Sequence, residues 1–323
     1  MSDLALRPAA TAGGLSSGWS RFWIGAAVVL ALAWASTGFI ANEYAFFATF
    51  VVLQFVVLAT AWNILGGHCG YVNFGTGAFL ALGAYVAVAL HKAFGLPVIA
   101  LVFAGAAASA LLGAFVGLLT LRLRGIYFAI ATLAITVVVE TAVLNWDYVG
   151  GARGITVIRP HEDALFGTYN RMLVVLMAAM AVVAVAAARW VERSAFGRGL
   201  AAIRDGEDAA EACGVPTLRL KVAAATLSGA LMGAAGAPLP LYMNFIDPHS
   251  AFGMNYAVSA LAMPMIGGTS HWIGPVIGAV LLGGAQQAVT VTISSEINVL
   301  VTGLLLVGFV VAAPKGILGL LKR

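Results

Sequence analysis

The chain has 323 residues, of which 62% are hydrophobic and only 9% charged, with a net charge of +4. Soluble globular proteins carry about 25% charged residues; here 17 Lys+Arg and 13 Asp+Glu cannot give a water-facing surface to a 33.2 kDa globule. A soluble enzyme, a nucleic-acid binder and a disordered chain are therefore excluded, and basic residues gathered at loops read as orientation signals beside a bilayer.

With a mean hydropathy of +0.99, the apolar content fills roughly ten transmembrane helices at about 20 residues each. Ten apolar segments follow in chain order: 22–40, 44–65, 72–90, 97–121, 126–145, 172–189, 222–243, 255–267, 274–292 and 297–313. They are continuous rather than alternating, which excludes a β-barrel. The first is long for the apolar part of a signal peptide and is followed by further spans, so it is expected to be an uncleaved helix. Segment 255–267 is too short to span alone and is expected to be tilted or one arm of a re-entrant pair. The fold class is all-α: a polytopic integral membrane protein of about ten transmembrane or partly re-entrant helices.

Alternating the segments from an inside N-terminus puts Arg7, Arg21, Arg122, Arg124, Arg189, Arg193, Arg198, Arg204, Arg219, Lys221, Lys315, Lys322 and Arg323 inside. Only Lys92, Arg153, Arg159 and Arg171 fall outside. Both termini are thereby expected in the cytoplasm. The domain reading is an N-terminal tail over 1–21, a membrane domain over 22–315 and a C-terminal tail over 316–323. Two hydrophilic connections interrupt the membrane domain, one outside over 146–171 and one inside over 190–221. The inner one is the most charged part of the chain. It reads as helix, because Phe196, Leu200, Ile203 and Ala210 keep a one-face spacing and Gly214 with Pro216 signals a stop. An internal repeat is also suggested: Gly66-Gly67, Gly77-Ala78, Leu80 and Gly83-Ala84 match Gly267-Gly268, Gly278-Ala279, Leu281 and Gly284-Ala285 at a constant offset. Gly/Ala-rich helices also match one another by chance.

Site chemistry is sparse. The five histidines (His68, His91, His161, His249, His271) lie at span ends or in loops and form no HExxH pair. Cys69 and Cys213 have no metal-ligand spacing and give no disulfide framework. Glu140 alone among ionisable residues lies within a predicted span, as a group pairing or snorkelling near the interface or as a functional one. The four lysines (Lys92, Lys221, Lys315, Lys322) are preceded by His, Leu, Pro and Leu, so no GxxxxGK[ST] loop is present. If ATP drives this protein, another polypeptide supplies it. A charged amphipathic helix between spans then serves either as a docking element for that partner or as a solvated surface helix.

The inner loop carries a family resemblance. Asp208-Ala209-Ala210, with Gly214 four residues on, resembles the EAA-x-x-x-G motif through which ABC importer membrane subunits engage their ATPases, with Asp for the usual Glu. Arg193-Ser194-Ala195-Phe196-Gly197-Arg198 and Ala202-Ile203-Arg204-Asp205 resemble the RSPFGR…AIRD stretch of the branched-chain amino acid permeases, with Ala195 for the usual Pro. The apolar tail usual after the motif glycine in other importers is not clear. Gly70-Tyr71-Val72-Asn73-Phe74-Gly75 with Ala78-Phe79 and Gly83-Ala84-Tyr85 is similar to a further signature of that family. So are Leu123-Arg124-Gly125-Ile126-Tyr127-Phe128-Ala129-Ile130-Ala131-Thr132-Leu133 and Leu144-Asn145-Trp146-Asp147 with Gly150-Gly151 and Gly154. The resemblance spans about 45–315 and favours the LivM type of the LivH/LivM family.

That resemblance implies a non-enzymatic permease subunit of a bacterial inner membrane importer. A second homologous permease subunit would complete the pathway, two ABC ATPase subunits would use ATP and Mg, and a periplasmic substrate-binding protein would deliver the amino acid. It implies no cofactor on this chain. Its carry-over gives Phe196, Gly197, Arg198, Ile203, Arg204, Asp208, Ala209, Ala210 and Gly214 as the ATPase-docking set, with Gly214 at positive φ. Asn73, Phe74, Gly75, Gly77, Tyr127, Thr132 and Glu140 are the candidate pathway residues; close helix packing is the competing account of the small ones. Asp147, Arg153, Arg159, Glu162 and Asp163 of the outer loop are candidate contacts to the binding protein. The rival reading of another class is an independent secondary carrier or channel.

Overall fold

The computed structural model describes residues 20, 22–28, 30–31, 34–35, 43–120, 123, 125–158, 162–163, 167–292, 300, 303–304, 307–308 and 316–321. The helices in order are α1 (Glu43–Cys69), α2 (Thr76–Phe94), α3 (Val98–Thr120), α4 (Ile126–Leu144), α5 (Tyr169–Arg193), α6 (Ala195–Asp205) and α7 (Glu207–Ala212). After them come α8 (Thr217–Gly236), α9 (Leu239–Met243), α10 (Pro248–Ala251), α11 (Met254–Gly267), α12 (Gly274–Thr292) and α13 (Gly316–Leu321). Two 3-10 turns (Asp147–Val149 and Gly151–Arg153) and four two-residue strands complete the described elements, the strands being β1 (Ile155–Thr156), β2 (Glu162–Asp163), β3 (Gly167–Thr168) and β4 (Phe245–Ile246). Antiparallel pairs join β1 to β4, with Ile155 opposite Ile246, and β2 to β3.

Among the described residues, seven helices are long and apolar enough to cross a membrane, and they match seven of the ten predicted segments. Helix is the expected solution there, because a backbone in hydrocarbon must satisfy its own polar groups. Segment 255–267 forms the 14-residue α11, short of a span as expected. The predicted segment 297–313 and the predicted N-terminal tail lie largely outside the described residues, segment 22–40 is described in part, and the predicted C-terminal tail carries α13.

Several boundaries differ from the sequence reading, three of them with a physical reason close at hand. First, α1 runs unbroken through Gly66 and Gly67 instead of ending before them. These glycines make room for their own helix: a Cβ at Gly66 would strike the Trp62 ring and one at Gly67 the Asn63 amide. Second, α5 continues past Arg189 to Arg193. The Arg189 guanidinium, 5% exposed, lies 4.9 Å from the Phe22 ring and 5.1 Å from the Trp272 ring, which lets the charge stay buried. Third, the helix expected across the inner loop is two helices, α6 and α7, separated at Gly206 in extended conformation (φ 174°).

Helix α1 is the central element, with Phe50, Leu58 and Ile64 fully buried. Polar ties fix it at depth: Gln54 Nε2 donates to Ala235 O at 3.0 Å, and Ser228 Oγ donates to Ala61 O at 2.8 Å. The tightest seam joins α3 to α8 through small residues every fourth position on α3: Gly105, Ser109, Gly113 and Gly117. A Cβ at Gly113 would stand 2.5 Å from Ala225 O, and one at Gly233 would stand 2.1 Å from Ser109 Oγ. This is backbone-on-backbone packing of the small-xxx-small kind.

The chain sorts its connections to two ends. One end gathers the 70–75 break, α6, α7 and residues 268–273, since Arg204 Nη1 donates to Gly67 O at 3.3 Å and Trp272 N donates to Glu192 Oε2 at 2.7 Å. The other gathers the 145–158 loop, the start of α10 and the end of α2, where Lys92 Nζ donates to Tyr148 O at 2.8 Å. Segment alternation from the sequence predicts the same sorting. The repeat also has a structural counterpart: α2 and α12 are both 19-residue helices, each following a short break after α1 and α11.

A candidate docking element and the chain break beneath it

Ser194 starts α6 as an N-cap, its Oγ accepting from Gly197 N at 3.2 Å. Gly197 is required by the turn: a Cβ there would lie 1.9 Å from Val191 O. The one-face spacing read from the sequence is real. Leu200 (0% exposed) and Ile203 (3%) enter a small core with Ile64, Leu65, Cys69, Tyr71, Phe128 and Val191 and contribute about 2 kcal/mol each, and Ala210 is buried at 6%. Phe196 packs on this core and stacks on Trp190 at 6.0 Å. Arg198, Arg204, Asp208 and Ala209 stay exposed. A groove of about 590 Å³ opens between α6 and the turn after α7, lined in part by Phe196, Arg198, Ala202, Cys213, Gly214 and Leu220.

Gly214 has the positive φ expected of it, at +82°. Nothing stands within 4 Å of a Cβ added there, so Gly214→Ala is expected to cost only the left-handed strain, about 1–2 kcal/mol. A thermal melt of the detergent-solubilised protein measures it, and an unchanged melting temperature would show that the turn relaxes.

The inner loop rests on a buried ion pair that the sequence reading passed over. Lys221, placed in the loop from sequence, is the fifth residue of α8 and donates from Nζ to Glu207 Oε1 at 2.5 Å; the side chains are 5% and 13% exposed. The Tyr71 hydroxyl donates to Glu207 Oε2 and accepts from Lys221 Nζ at 3.3 Å. The only sequence signal was proximity: Glu207 precedes the Asp208 motif, and Tyr71 stands within the Gly70–Gly75 stretch.

Four of the seven pathway candidates belong to one region. Asn73 is 2% exposed, and its Oδ1 accepts from Gly75 N at 2.7 Å while its carbonyl accepts from Trp62 Nε1 at 2.8 Å. Phe74 N donates to Thr132 Oγ1 at 3.1 Å. The others are dispersed. Gly77 lies against the Phe252 carbonyl, and Tyr127 is 67% exposed. Glu140 is eight residues, about 12 Å of helix, beyond Thr132. Its Oε1 lies 3.1 Å from His249 Nδ1, so its partner comes from α10. Beside it, burial pushes the Asp247 carboxyl up, but hydrogen bonds from the Ser250 hydroxyl and amide, aided by His249, outweigh this and hold it below its usual value. Of the outer-loop candidates, Arg159 and the side chains of Glu162 and Asp163 lie outside the described residues. Among the described residues there is no His/Cys/Asp/Glu group suited to a metal.

A bundle of long apolar helices with an amphipathic element folded onto one end defines a polytopic membrane protein. The chain belongs to the family described as the permease component of the branched-chain amino acid transport system, which matches residues 44–310. It is 26% identical to the high-affinity branched-chain amino acid transport system permease protein LivM of Salmonella typhimurium and 27% identical to LivM of Escherichia coli, in each case over 92% of this chain and 75% of the relative. A probable branched-chain amino acid transport permease protein LivH of Methanocaldococcus jannaschii is 28% identical over 76% of this chain and 82% of its own. No solved structure matches the chain.

Proposed function

We propose that this chain is the membrane subunit of an ATP-driven ABC importer, carrying branched-chain or related amino acids across the inner membrane of a bacterium. It would pair with a second homologous permease subunit, dock two ATPases through α6 and α7, and accept cargo from a periplasmic binding protein. Both termini and the docking element face the cytoplasm in this reading. The observation that carries it is the inner-loop element itself, a pair of short helices seated through Leu200 and Ile203 on a core shared with the long helices, an open groove, and the Asp208-Ala209 face left to solvent. Urea, an amide or an aromatic acid is the alternative cargo, since the family scaffold does not spell the substrate.

Cys213 makes the test direct. It lines the groove and is exposed, whereas Cys69 is buried at 1%. The chain is co-expressed with the second permease and the ATPases, purified in mild detergent and treated with a maleimide. ATPase subunits are expected in stoichiometric amounts, with one thiol labelled in the chain alone and protected in the complex. Arg204→Glu is expected to release the ATPases while the chain remains inserted. A chain that purifies alone and transports in vesicles without ATP would instead make it a secondary carrier or channel.

A further inference from the structure

The docking element touches more than its own core. Glu207, the first residue of α7, is held by Tyr71 and Lys221, and Tyr71 belongs to the break between α1 and α2. The Tyr71 ring meets the Phe128 ring of α4 edge-on at 5.1 Å, while Lys221 Nζ lies over the same Tyr71 ring, 5.0 Å from its centroid. Three residues on, Phe74 N binds Thr132 of α4. On the docking side the approach is backbone-tight: Gly70 sits at φ +80° under Arg204, where a Cβ would be 2.9 Å from Arg204 Cγ.

Helix α4 is the loosely held partner in this chain of contacts. Its buried residues are Phe128, Ala129, Thr132 and Val143, so three of the four cluster where Tyr71 and Phe74 grip it. It is entered through Gly125 at φ +58°, with no side-chain cap. The same helix carries Tyr127 and Glu140. Stability alone gives little reason to bury the ion pair at this joint, because apolar residues of similar volume pack as well or better. A charge-assisted bond network does, however, fix direction and distance between two elements in a way that apolar contact does not.

We propose that Tyr71 and Glu207, clasped by Lys221, are the positioning residues that transmit displacement of the docking element to α4 through the 70–75 break. The inference rests on the docking reading above. When the bound partner moves α6 and α7, Glu207 draws on the Tyr71 hydroxyl. The Tyr71 ring and the Phe74 amide then shift the Phe128–Thr132 end of α4, and the cargo path is reshaped at that end. No side chain in the link need touch cargo or ATP.

The test uses the complete importer, reconstituted with its ATPases and binding protein and assayed for leucine uptake. Three quantities are read: ATPase subunits recovered per permease, melting temperature, and leucine transported per ATP hydrolysed. Tyr71→Phe keeps the ring on Phe128 and removes the hydroxyl. Glu207→Leu combined with Lys221→Met replaces the pair by apolar volume, which preserves stability. Both variants are expected to retain their ATPases and their melting temperature, yet lose about tenfold in transport per ATP. Transport per ATP that is unchanged, or that falls only in step with melting temperature or ATPase recovery, overturns the link. A wild-type chain that recruits no ATPase fails at the earlier step, and the docking reading falls with it.

Discussion

Gly83→Val is expected to leave no monodisperse protein after extraction. A Cβ at Gly83 would lie 2.1 Å from Gly233 O and 2.7 Å from Gly233 Cα, atoms of the α8 backbone. Gly105 of α3 closes the same point, its position 3.0 Å from Gly233 O and 3.1 Å from Gly83 O. Three helices thus meet with no side chain between them. No rotamer change can make space, so α2 must move off α8, at a cost of at least about 3 kcal/mol. Gly236→Val, whose Cβ would stand 2.0 Å from Leu80 O, is expected to behave alike. Gly284 in α12 is the control, because nothing lies within 4 Å of a Cβ there. Gly284→Ala is expected to accumulate normally. Size-exclusion profiles of the three variants decide the matter; normal accumulation of Gly83→Val would mean that α2 and α8 do not touch as described.

Lys221→Met is expected to lower stability by about 3–5 kcal/mol, because it strands the Glu207 carboxylate without its cation. The group is 13% exposed, and Tyr71, which donates to its other oxygen, packs in the apolar cluster with Ile64, Leu65 and Ala224. Restoring balance should restore stability: Glu207→Leu added to Lys221→Met is expected to return the melting temperature close to that of the unaltered protein. Thermal melts of the single and double variants in one detergent form the cycle. A single variant as stable as the parent would show that water reaches the carboxylate. Equal melting temperatures for single and double variants would show that the two side chains are not coupled.

The membrane character, most helices and the helical inner loop were legible because each is written in a local pattern. Apolar runs mark spans, and one-face spacing at Phe196, Leu200, Ile203 and Ala210 marks the inner helices, where the last three are buried and Phe196 is half-buried. Gly214 was legible because a helix stop next to Pro216 calls for positive φ. What escaped was the long-range part. Lys221 and Glu207 look like two more charges in a charged loop until α8 is seen to begin at Thr217, turning Lys221 inward onto Tyr71. Gly66 and Gly67 read as a helix break, since no local rule shows that they yield space to Trp62 and Asn63. The pathway set mixed both kinds. Asn73, Phe74, Gly75 and Thr132 belong to one hydrogen-bonded unit, whereas Tyr127 and Glu140 share only a helix with it. His249, the partner of Glu140, lies 109 positions away and gave no signal.

The small-residue seam between α3 and α8 has a mechanical consequence. Side-chain packing can ratchet by swapping rotamers, but carbonyls seated against α-carbons have no alternative seating within an ångström. Sliding α3 along α8 would drive the backbone at Gly113 into Ala225, and parting them would open a slot that lipid must fill. With α2 locked to the same place at Gly83, these three helices form a stator. Any alternation between open and closed states is then carried by what turns against it.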